Sequence, residues 1–171
     1  MAKRIIAIGG MPASGKTTLM KNIIKEYMPL NTFKYKLVRG MYCPRRLIYF
    51  IGVYDESTFS GTDKLSMAVQ PYFVQLLSKL TKGVFIFEGD RLFNQSLFDK
   101  VKCEKIIIDA DEETLKQRHL QRNDNQSSKF IKSKRTKLNN ILEKNSVTLL
   151  PNNTSEQNKY AFDYILKRIN Q

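Results

Sequence analysis

The sequence predicts an α/β domain in which a mostly parallel five-stranded sheet lies between two layers of helices and carries a small lid. Short apolar runs typical of buried parallel strands alternate along the chain with longer segments whose apolar residues recur at helical spacing. This alternation places helices on both faces of a parallel sheet. A chain of 171 residues with 42% hydrophobic composition has the size of one domain, and we expect residues 1–171 to form it.

The first strand and the first helix flank a glycine-rich loop. Residues 4–9 are an apolar run, residues 10–18 have the sequence Gly-Met-Pro-Ala-Ser-Gly-Lys-Thr-Thr, and residues 17–27 show helical spacing. The loop matches Gly-x4-Gly-Lys-[Ser/Thr], the phosphate-binding P-loop, in its strand–loop–helix context. Its glycines let backbone N–H groups surround a phosphate, and the helix N-terminus adds to the attraction. The sequence therefore predicts a P-loop kinase-like fold with a nucleoside triphosphate site.

We expect this loop to bind ATP together with Mg²⁺. Lys16 would supply positive charge to the β- and γ-phosphates, and the hydroxyl of Thr17 is the expected Mg²⁺ ligand. The predicted nucleotide-binding residues are Gly10, Ala13, Ser14, Gly15, Lys16, Thr17 and Thr18. The alternative is a glycine-rich turn that only joins a strand to a helix.

The segment after the first helix predicts two more strands and a long helix. In order, it contains a strand at residues 33–38, a basic loop at 41–46, a strand or hairpin arm at 47–54, a polar segment at 55–63 and a long helix at 64–80. Thr62 or Asp63 is a plausible N-cap of that helix.

The second half of the chain supplies the remaining elements. The predicted strands cover residues 83–87, 104–109 and 147–150, and the predicted helices cover residues 111–122, 129–144 and 156–169. Glu88 and Asp90 follow the strand at residues 83–87. Carboxylates at the carboxyl end of an apolar strand after a P-loop are typical of the Walker B metal site. We therefore expect Glu88, Asp90 and Thr17 to hold Mg²⁺.

A small phosphotransferase is the predicted class of enzyme. The chain is short for a motor, transport or recombination ATPase, and it lacks an Asn-Lys-x-Asp guanine-binding motif. Arg118 and Arg122 lie one helical turn apart, where small P-loop kinases carry arginines that neutralise the triphosphate. Residues 123–137 are the expected lid. The alternative places both arginines on a solvated helix surface.

Transfer to a hydroxyl group requires a carboxylate that orients the acceptor and takes its proton. Asp55 and Asp63 are the candidates, because they lie in the segment where such folds bind the acceptor. The sequence does not decide between them. A plain capping role for Asp63 is equally compatible with the pattern.

The charge of the chain favours a polyanionic partner. There are 29 Lys plus Arg against 16 Asp plus Glu, a formal net charge of +13. An excess of this size favours contact with DNA, although a lysine-rich genome composition is the alternative. Cys43 and Cys103 show neither metal nor disulfide spacing, which suits a reducing compartment. We expect a cytoplasmic protein without a membrane span.

Two further segments resemble a pattern in phage P-loop kinases that phosphorylate 5-hydroxymethyluracil in DNA. Residues 52–55 are Gly-Val-Tyr-Asp, and residues 59–71 are Phe-Ser-Gly-Thr-Asp-Lys-Leu-Ser-Met-Ala-Val-Gln-Pro. The resemblance also covers the P-loop, residues 88–91 and the arginine helix, and therefore most of the chain. It implies an ATP- and Mg²⁺-dependent kinase that phosphorylates the base's hydroxymethyl group as a step in DNA hypermodification, in the cytoplasm of an infected bacterium.

The same resemblance implies that Asp55 or Asp63 orients the hydroxyl of a base extruded from the DNA stack. The implied stacking residues are Tyr42, Tyr54, Phe59 and Tyr72, and the implied phosphate contacts are Arg39, Arg45, Arg46 and residues 129–137. Three other functions stay open: a kinase of free nucleosides, nucleotides or another small metabolite, a nucleic-acid-binding ATPase, and a 5′-end polynucleotide kinase.

Overall fold

A computed structural model of the protein describes residues 2–57, 60–124 and 126–171. In chain order the elements are β1 (Arg4–Gly9), α1 (Lys16–Lys25), β2 (Asn31–Tyr35), β3 (Val38–Cys43), β4 (Ile48–Ile51), a 3-10 turn (Thr62–Lys64), α2 (Val69–Lys79), β5 (Val84–Glu88), α3 (Gln95–Phe98), β6 (Glu104–Asp109), α4 (Glu112–Gln121), α5 (Ser128–Lys144), β7 (Thr148–Pro151) and α6 (Ser155–Asn170).

The described strands form one sheet in the order β2–β3–β4–β5–β1–β6–β7. Five neighbouring strands, β4, β5, β1, β6 and β7, are parallel. At the other edge of the sheet, β2, β3 and β4 pair as an antiparallel meander. The predicted α/β class with a mostly parallel sheet is confirmed, with seven strands rather than five. Residues 33–38 are not one strand: β2 and β3 replace the strand predicted there, and β3 extends into the predicted loop at residues 41–46. Residues 33–38 cross a tight turn at Lys36, whose φ is 52°, and this turn lacks the Asn-Gly or Asp-Gly signal from which a hairpin is predicted.

Helices cover both faces of the sheet. On β1 the side chains of Ile6 and Ile8 face α1 and α6, whereas Ile5 and Ala7 face α2, α3 and α5. This division follows from the two-residue period of a strand, whose successive side chains point to opposite faces. Because both faces are covered, the central strands are apolar throughout.

Helix α2 begins later than predicted. Residues 64–80 were the expected range, but the helix starts at Val69, and its N-cap is Ala68 rather than Thr62 or Asp63. Pro71 explains the difference. Proline is tolerated in the first turn of a helix, where its missing N–H would have no partner, but not farther inside.

The predicted lid is mostly helical. Residues 123–137 were expected to start as a loop and to continue into the helix predicted at residues 129–144, and α5 runs from Ser128 to Lys144, with the side chain of Ser127 accepting a hydrogen bond from the N–H of Phe130. A short connection therefore separates α4 from α5, with Asn125 outside the described residues. None of the described helices is both long enough and apolar enough to cross a membrane.

Candidate active site

A polar cleft of about 280 Å³ opens at the carboxyl ends of β1 and β5. One wall is the P-loop, with Gly10, Ala13, Gly15, Lys16 and Thr17. The opposite wall carries Asp63, Glu88, Asp90, Arg122, Phe130 and Lys134. Open α/β sheets bind their ligands at this edge, because loops that follow parallel strands converge there.

The P-loop backbone depends on glycine at the start of α1. Gly15 is the N-cap of α1 with a φ of 94°, a conformation that favours glycine. A Cβ at this position would also lie 2.4 Å from Nδ2 of Asn152. The turn leaves the first N–H groups of α1 at the cleft, where an anion would find donors and a favourable helix dipole. Within the loop, the side chain of Ser14 is fully buried. Thr18 is exposed on the first turn of α1.

Lys16 folds back onto its own loop. Its Nζ donates a hydrogen bond to the carbonyl oxygen of Met11 at 3.1 Å. Burial lowers the pKa of Lys16, while the nearby carboxylates of Glu88 and Asp63 oppose that shift. A buried ammonium with two carboxylates nearby is poised to contact a phosphate in the same cleft.

Thr17 and Glu88 meet across the cleft. The hydroxyl of Thr17 donates to Oε1 of Glu88 at 3.1 Å, and Glu88 is only 1% exposed. Burial raises the pKa of Glu88 to about 7, with Asp63 adding to the shift and Lys16 opposing it. Gly61 packs directly against this carboxylate, since a Cβ there would lie 2.2 Å from Oε1. The carboxylate is therefore held in one place by its neighbours.

These two side chains fit Mg²⁺. The ion prefers oxygen ligands and commonly takes one or two from the protein, with phosphates and water completing its shell. No group of three or more His, Cys, Asp or Glu side chains in the described part of the chain could hold a metal without other ligands. A hydroxyl beside one carboxylate at the phosphate loop matches a Mg²⁺ site that is completed by phosphates and water. It does not match a site in which the protein supplies every ligand.

The structure separates the two candidate bases. Asp63 lies in the cleft, and its Oδ1 accepts a hydrogen bond from the N–H of Asp90 at 2.8 Å. Asp55 is exposed outside the lining and forms an ion pair with Lys64. The hydrogen bond from Lys64 holds the pKa of the Asp55 carboxyl well below its usual range. Of the pair, Asp63 is the residue placed beside Lys16 and Glu88.

Asp90 faces α5 rather than the hydroxyl of Thr17. Its carboxylate forms an ion pair with Lys134, and its Oδ1 lies 3.8 Å from Nζ of Lys137. Of the three predicted metal ligands, the structure thus joins Thr17 with Glu88 and gives Asp90 cationic partners.

Arg118 and Arg122 have different surroundings although they share α4. Nη1 of Arg118 donates to the carbonyl oxygens of Ala13 and Ser14 at 3.3 and 3.2 Å, and its Nη2 donates to that of Asn152 at 2.7 Å. Burial lowers the pKa of Arg118. Arg122 is exposed and lines the cleft. Arg118 therefore braces the back of the P-loop, whereas Arg122 is placed to meet a bound anion.

Asn152 is a site residue that the sequence analysis missed. It is buried, and its Nδ2 donates to the carbonyl oxygen of Ser14 at 2.7 Å. Its Oδ1 accepts from Asn158 of α6. The available signal was its position just after β7, at the same edge of the sheet as the P-loop.

Of the implied stacking aromatics, Tyr42 and Tyr72 lie away from the cleft. The hydroxyl of Tyr54 lies near Glu88 and Asp63, although Tyr54 does not line the cleft. Tyr42 stacks on Tyr49 at 5.4 Å, the hydroxyl of Tyr54 donates to Ile51, and Tyr72 lies beneath Lys36. Phe59 falls outside the described residues. The aromatic ring that lines the cleft is Phe130 of α5, which is 41% exposed.

Two of the three implied phosphate contacts before α2, Arg39 and Arg46, have protein partners. Nη2 of Arg39 donates to the carbonyl oxygen of Lys64 at 3.4 Å, and Nη1 of Arg46 donates to Oδ1 of Asn170 at 3.1 Å. Arg45 lies beside Arg46 near the end of α6. None of the three lines the cleft in the described part of the chain.

The chain was compared with protein families, curated proteins and solved structures. A family model described as an AAA domain matches residues 6–164. A comparison with curated proteins found no match. Among solved structures, a sugar kinase from Janibacter sp. HTCC2649 is similar, with 12% identity, a TM-score of 0.55, and coverage of 96% of this chain and 93% of that chain.

A second solved structure, an uncharacterized protein from Eubacterium ventriosum ATCC 27560, has 14% identity and covers 98% of this chain and 99% of that chain. Its TM-score of 0.45 is too low to support an argument about fold. The similar solved structure of the sugar kinase agrees with the predicted α/β fold. Because the family model matches most of its length, from β1 into α6, the chain belongs to the AAA domain family.

Proposed function

We propose that the protein is an ATP- and Mg²⁺-dependent kinase that phosphorylates the hydroxymethyl group of 5-hydroxymethyluracil in DNA. The observation that carries the kinase assignment is the meeting of Lys16, Thr17, Glu88 and Asp63 in one cleft. A phosphate-binding lysine, a hydroxyl–carboxylate pair and a further carboxylate are the groups that phosphoryl transfer to an alcohol requires.

Each group has a role in this proposal. Bound Mg²⁺·ATP supplies the phosphoryl group and neutralises part of its charge. Lys16 would leave Met11 and contact the phosphates, and Thr17 and Glu88 would hold the metal. Asp63 would orient the acceptor hydroxyl and take its proton, and Arg122 would add positive charge at the open side of the cleft.

The DNA acceptor is supported by the sequence resemblance at residues 52–55 and 59–71 and by the formal net charge of +13. Gly61 and Asp63 of the second segment lie at the cleft, next to Glu88. The segment at residues 59–71, which carries part of the resemblance, therefore lies where an acceptor would meet the catalytic groups.

A kinase of a free nucleoside or another small alcohol is the second candidate. A cleft of about 280 Å³ has room for a small acceptor, and the similar fold in the solved structures belongs to a sugar kinase. This candidate uses the same residues and differs only in what is phosphorylated.

Transfer of labelled γ-phosphate distinguishes these functions. The acceptors are duplex DNA containing 5-hydroxymethyluracil, the same DNA with thymine, and the free nucleoside. We expect label on the modified base of the first DNA only, and none with Lys16→Ala. Label on the free nucleoside alone would favour the second candidate, and label at 5′ ends would indicate a polynucleotide kinase. ATP hydrolysis without any labelled acceptor would contradict the kinase proposal.

A further inference from the structure

Helix α5 borders a second concave surface, which we name the lysine groove. The groove lies between α5 and α3 and has a volume of about 590 Å³. Its charged side chains are Lys129, Lys132, Lys137 and Lys144. Its remaining polar residues are Gln95, Ser133, Thr136 and Asn140. Among the residues that the structure describes, no acidic side chain lines the groove, so its charged lining groups are all cations.

The groove lysines differ from the other basic residues of α5. Lys134 pairs with Asp90, and Arg135 lies 3.5 Å from Oε1 of Glu112. Within the described residues, Lys129, Lys132 and Lys144 form no ion pair with a carboxylate, and all three are exposed. The charges of Lys134, Arg135 and Lys137 are therefore balanced by carboxylates of the protein, whereas those of Lys129, Lys132 and Lys144 are left to an external anion.

The spacing of these charges fits a chain of phosphates. Lys129 and Lys144 are fifteen residues apart on one helix, which is about 22 Å at 1.5 Å per residue. Each strand of B-form DNA places one phosphate about every 3.4 Å along the helix axis, and an unstacked strand spaces its phosphates more widely, so the groove is long enough for several successive phosphates. A single small anion would use one of these lysines, whereas an extended polyanion would use them all.

The groove lies next to the cleft. Lys137 lines the groove and also reaches the carboxylate of Asp90, which lines the cleft. Phe130 lies on α5 between the two surfaces, lines the cleft and holds Lys134 5.1 Å from its ring centroid. An exposed aromatic ring beside a cationic track is the combination by which proteins hold unstacked bases of a single strand.

We propose that the lysine groove holds the backbone of the acceptor strand, so that one base reaches the cleft past Phe130. This inference rests on the proposed function, and it adds the path of the polynucleotide and the residues that bind it. Backbone contacts of this kind fix position without reading sequence. The groove would therefore give the enzyme its preference for a base within a strand over the free nucleoside.

The test compares two triple variants with equal loss of charge. The groove variant is Lys129→Gln, Lys132→Gln and Lys144→Gln. The control variant is Lys25→Gln, Lys159→Gln and Lys167→Gln, which changes exposed lysines of α1 and α6 on the other face of the sheet. Binding of a fluorescein-labelled single-stranded oligonucleotide is measured by anisotropy over a series of salt concentrations. Lys16→Ala is included in every protein, so that binding is observed without phosphoryl transfer.

We expect the groove variant to bind the strand at least about tenfold more weakly at low salt. The slope of log affinity against log salt should fall by about 2, because each lost phosphate contact removes about 0.7 from the slope of a single strand. The control variant should keep most of the parental affinity. Equal affinity and slope in the two variants would overturn the assignment of the groove, as would a parent protein that does not bind the strand.

A kinetic comparison, with Lys16 restored, separates failure of this inference from failure of the proposed function. The groove variant should lose kcat/KM on an oligonucleotide containing 5-hydroxymethyluracil, whereas the control variant should keep most of it. Salt-dependent binding through the groove without any transfer would contradict the kinase proposal and leave the groove assignment standing. Transfer to the oligonucleotide at equal rates by both variants would overturn the groove alone.

Discussion

Glu88 is the side chain whose chemistry depends most on its surroundings. It ends β5 and is almost completely buried, and it accepts the hydroxyl hydrogen bond of Thr17. Its carboxylate loses hydration, which is why its pKa rises to about 7. The free protein therefore holds a protonated Glu88 in mildly acidic solution, and a bound cation would favour the ionised form.

The contribution of Glu88 to the stability of the free protein should fall as pH rises from 4.5 to about 7. In this range the unfolded chain has already released the Glu88 proton and the folded protein still binds it, so folding is penalised increasingly up to the folded-state pKa. The penalty is at most about 3 kcal/mol. Glu88→Gln removes it, so its unfolding free energy relative to the wild type should grow between pH 5 and about 7 and then level off.

The measurement is urea unfolding of both proteins at several pH values without nucleotide or metal. Glu143→Gln, the same change on an exposed side chain of α5, serves as the control. If the difference in unfolding free energy between Glu88→Gln and the wild type stays constant from pH 5 to about 7, the Glu88 carboxyl does not have the raised pKa that its burial predicts.

Asp63 and Asp55 should separate in kinetics. Asp63→Asn keeps an acceptor for the N–H of Asp90 but cannot take a proton, so turnover should fall about 10²- to 10⁴-fold with little change in the KM for ATP. Asp55→Asn should change turnover little, because its side chain lies outside the cleft and pairs with Lys64. Steady-state assays that measure turnover and the KM for ATP of both variants test this prediction. A lower melting temperature with normal turnover in Asp63→Asn would make it a structural residue only.

At the scale of elements, the P-loop is held from behind by α4 and by the loop after β7. Arg118 and Asn152 both donate to the carbonyl oxygen of Ser14, which joins three parts of the sequence at one atom. Helix α4 therefore contacts both sides of the P-loop. Arg118 donates hydrogen bonds to the back of the loop, and Arg122 lines the cleft in front of it.

Asn152→Ala should weaken both the fold and nucleotide binding. The substitution removes a buried donor and leaves Arg118 as the remaining side-chain donor to Ser14, at a cost of about 1–3 kcal/mol. We expect a lower unfolding free energy in urea and a higher KM for ATP. Asn139→Ala, on the exposed surface of α5, is the matched control and should change stability by no more than about 0.5 kcal/mol. Unchanged stability in Asn152→Ala would show that the P-loop does not need this support.

For the whole molecule, binding of Mg²⁺·ATP should raise the free energy of unfolding. A ligand that binds only the folded state at one hundred times its Kd contributes about 2.7 kcal/mol, which is roughly 5–10 °C in melting temperature for a chain of this length. Differential scanning fluorimetry measures the shift. Lys16→Ala and removal of Mg²⁺ should each reduce it, because both remove charge that balances the phosphates. A shift of equal size in all three samples would indicate binding elsewhere.

The sequence by itself determined the features that are local in the chain. Apolar periodicity located β1, β5 and β6 and the helices α1, α4, α5 and α6, but not the short α3. The P-loop was predicted because its lysine, hydroxyl and glycines are close together in the sequence. The antiparallel meander was missed because the turn at Lys36 carries no local signal, and the start of α2 was placed too early because the constraint comes from Pro71 farther along the chain.

Only the tertiary structure decided which side chains share the cleft. Asp55 and Asp63 are eight residues apart in similar polar sequence, and Arg118 and Arg122 lie on one helix, yet one member of each pair lines the cleft and the other does not. The same is true of α5, whose lysines divide between Asp90 and an open groove. These outcomes depend on segments that are distant in the sequence packing against one another, and a local pattern cannot contain that information because it does not include the partner.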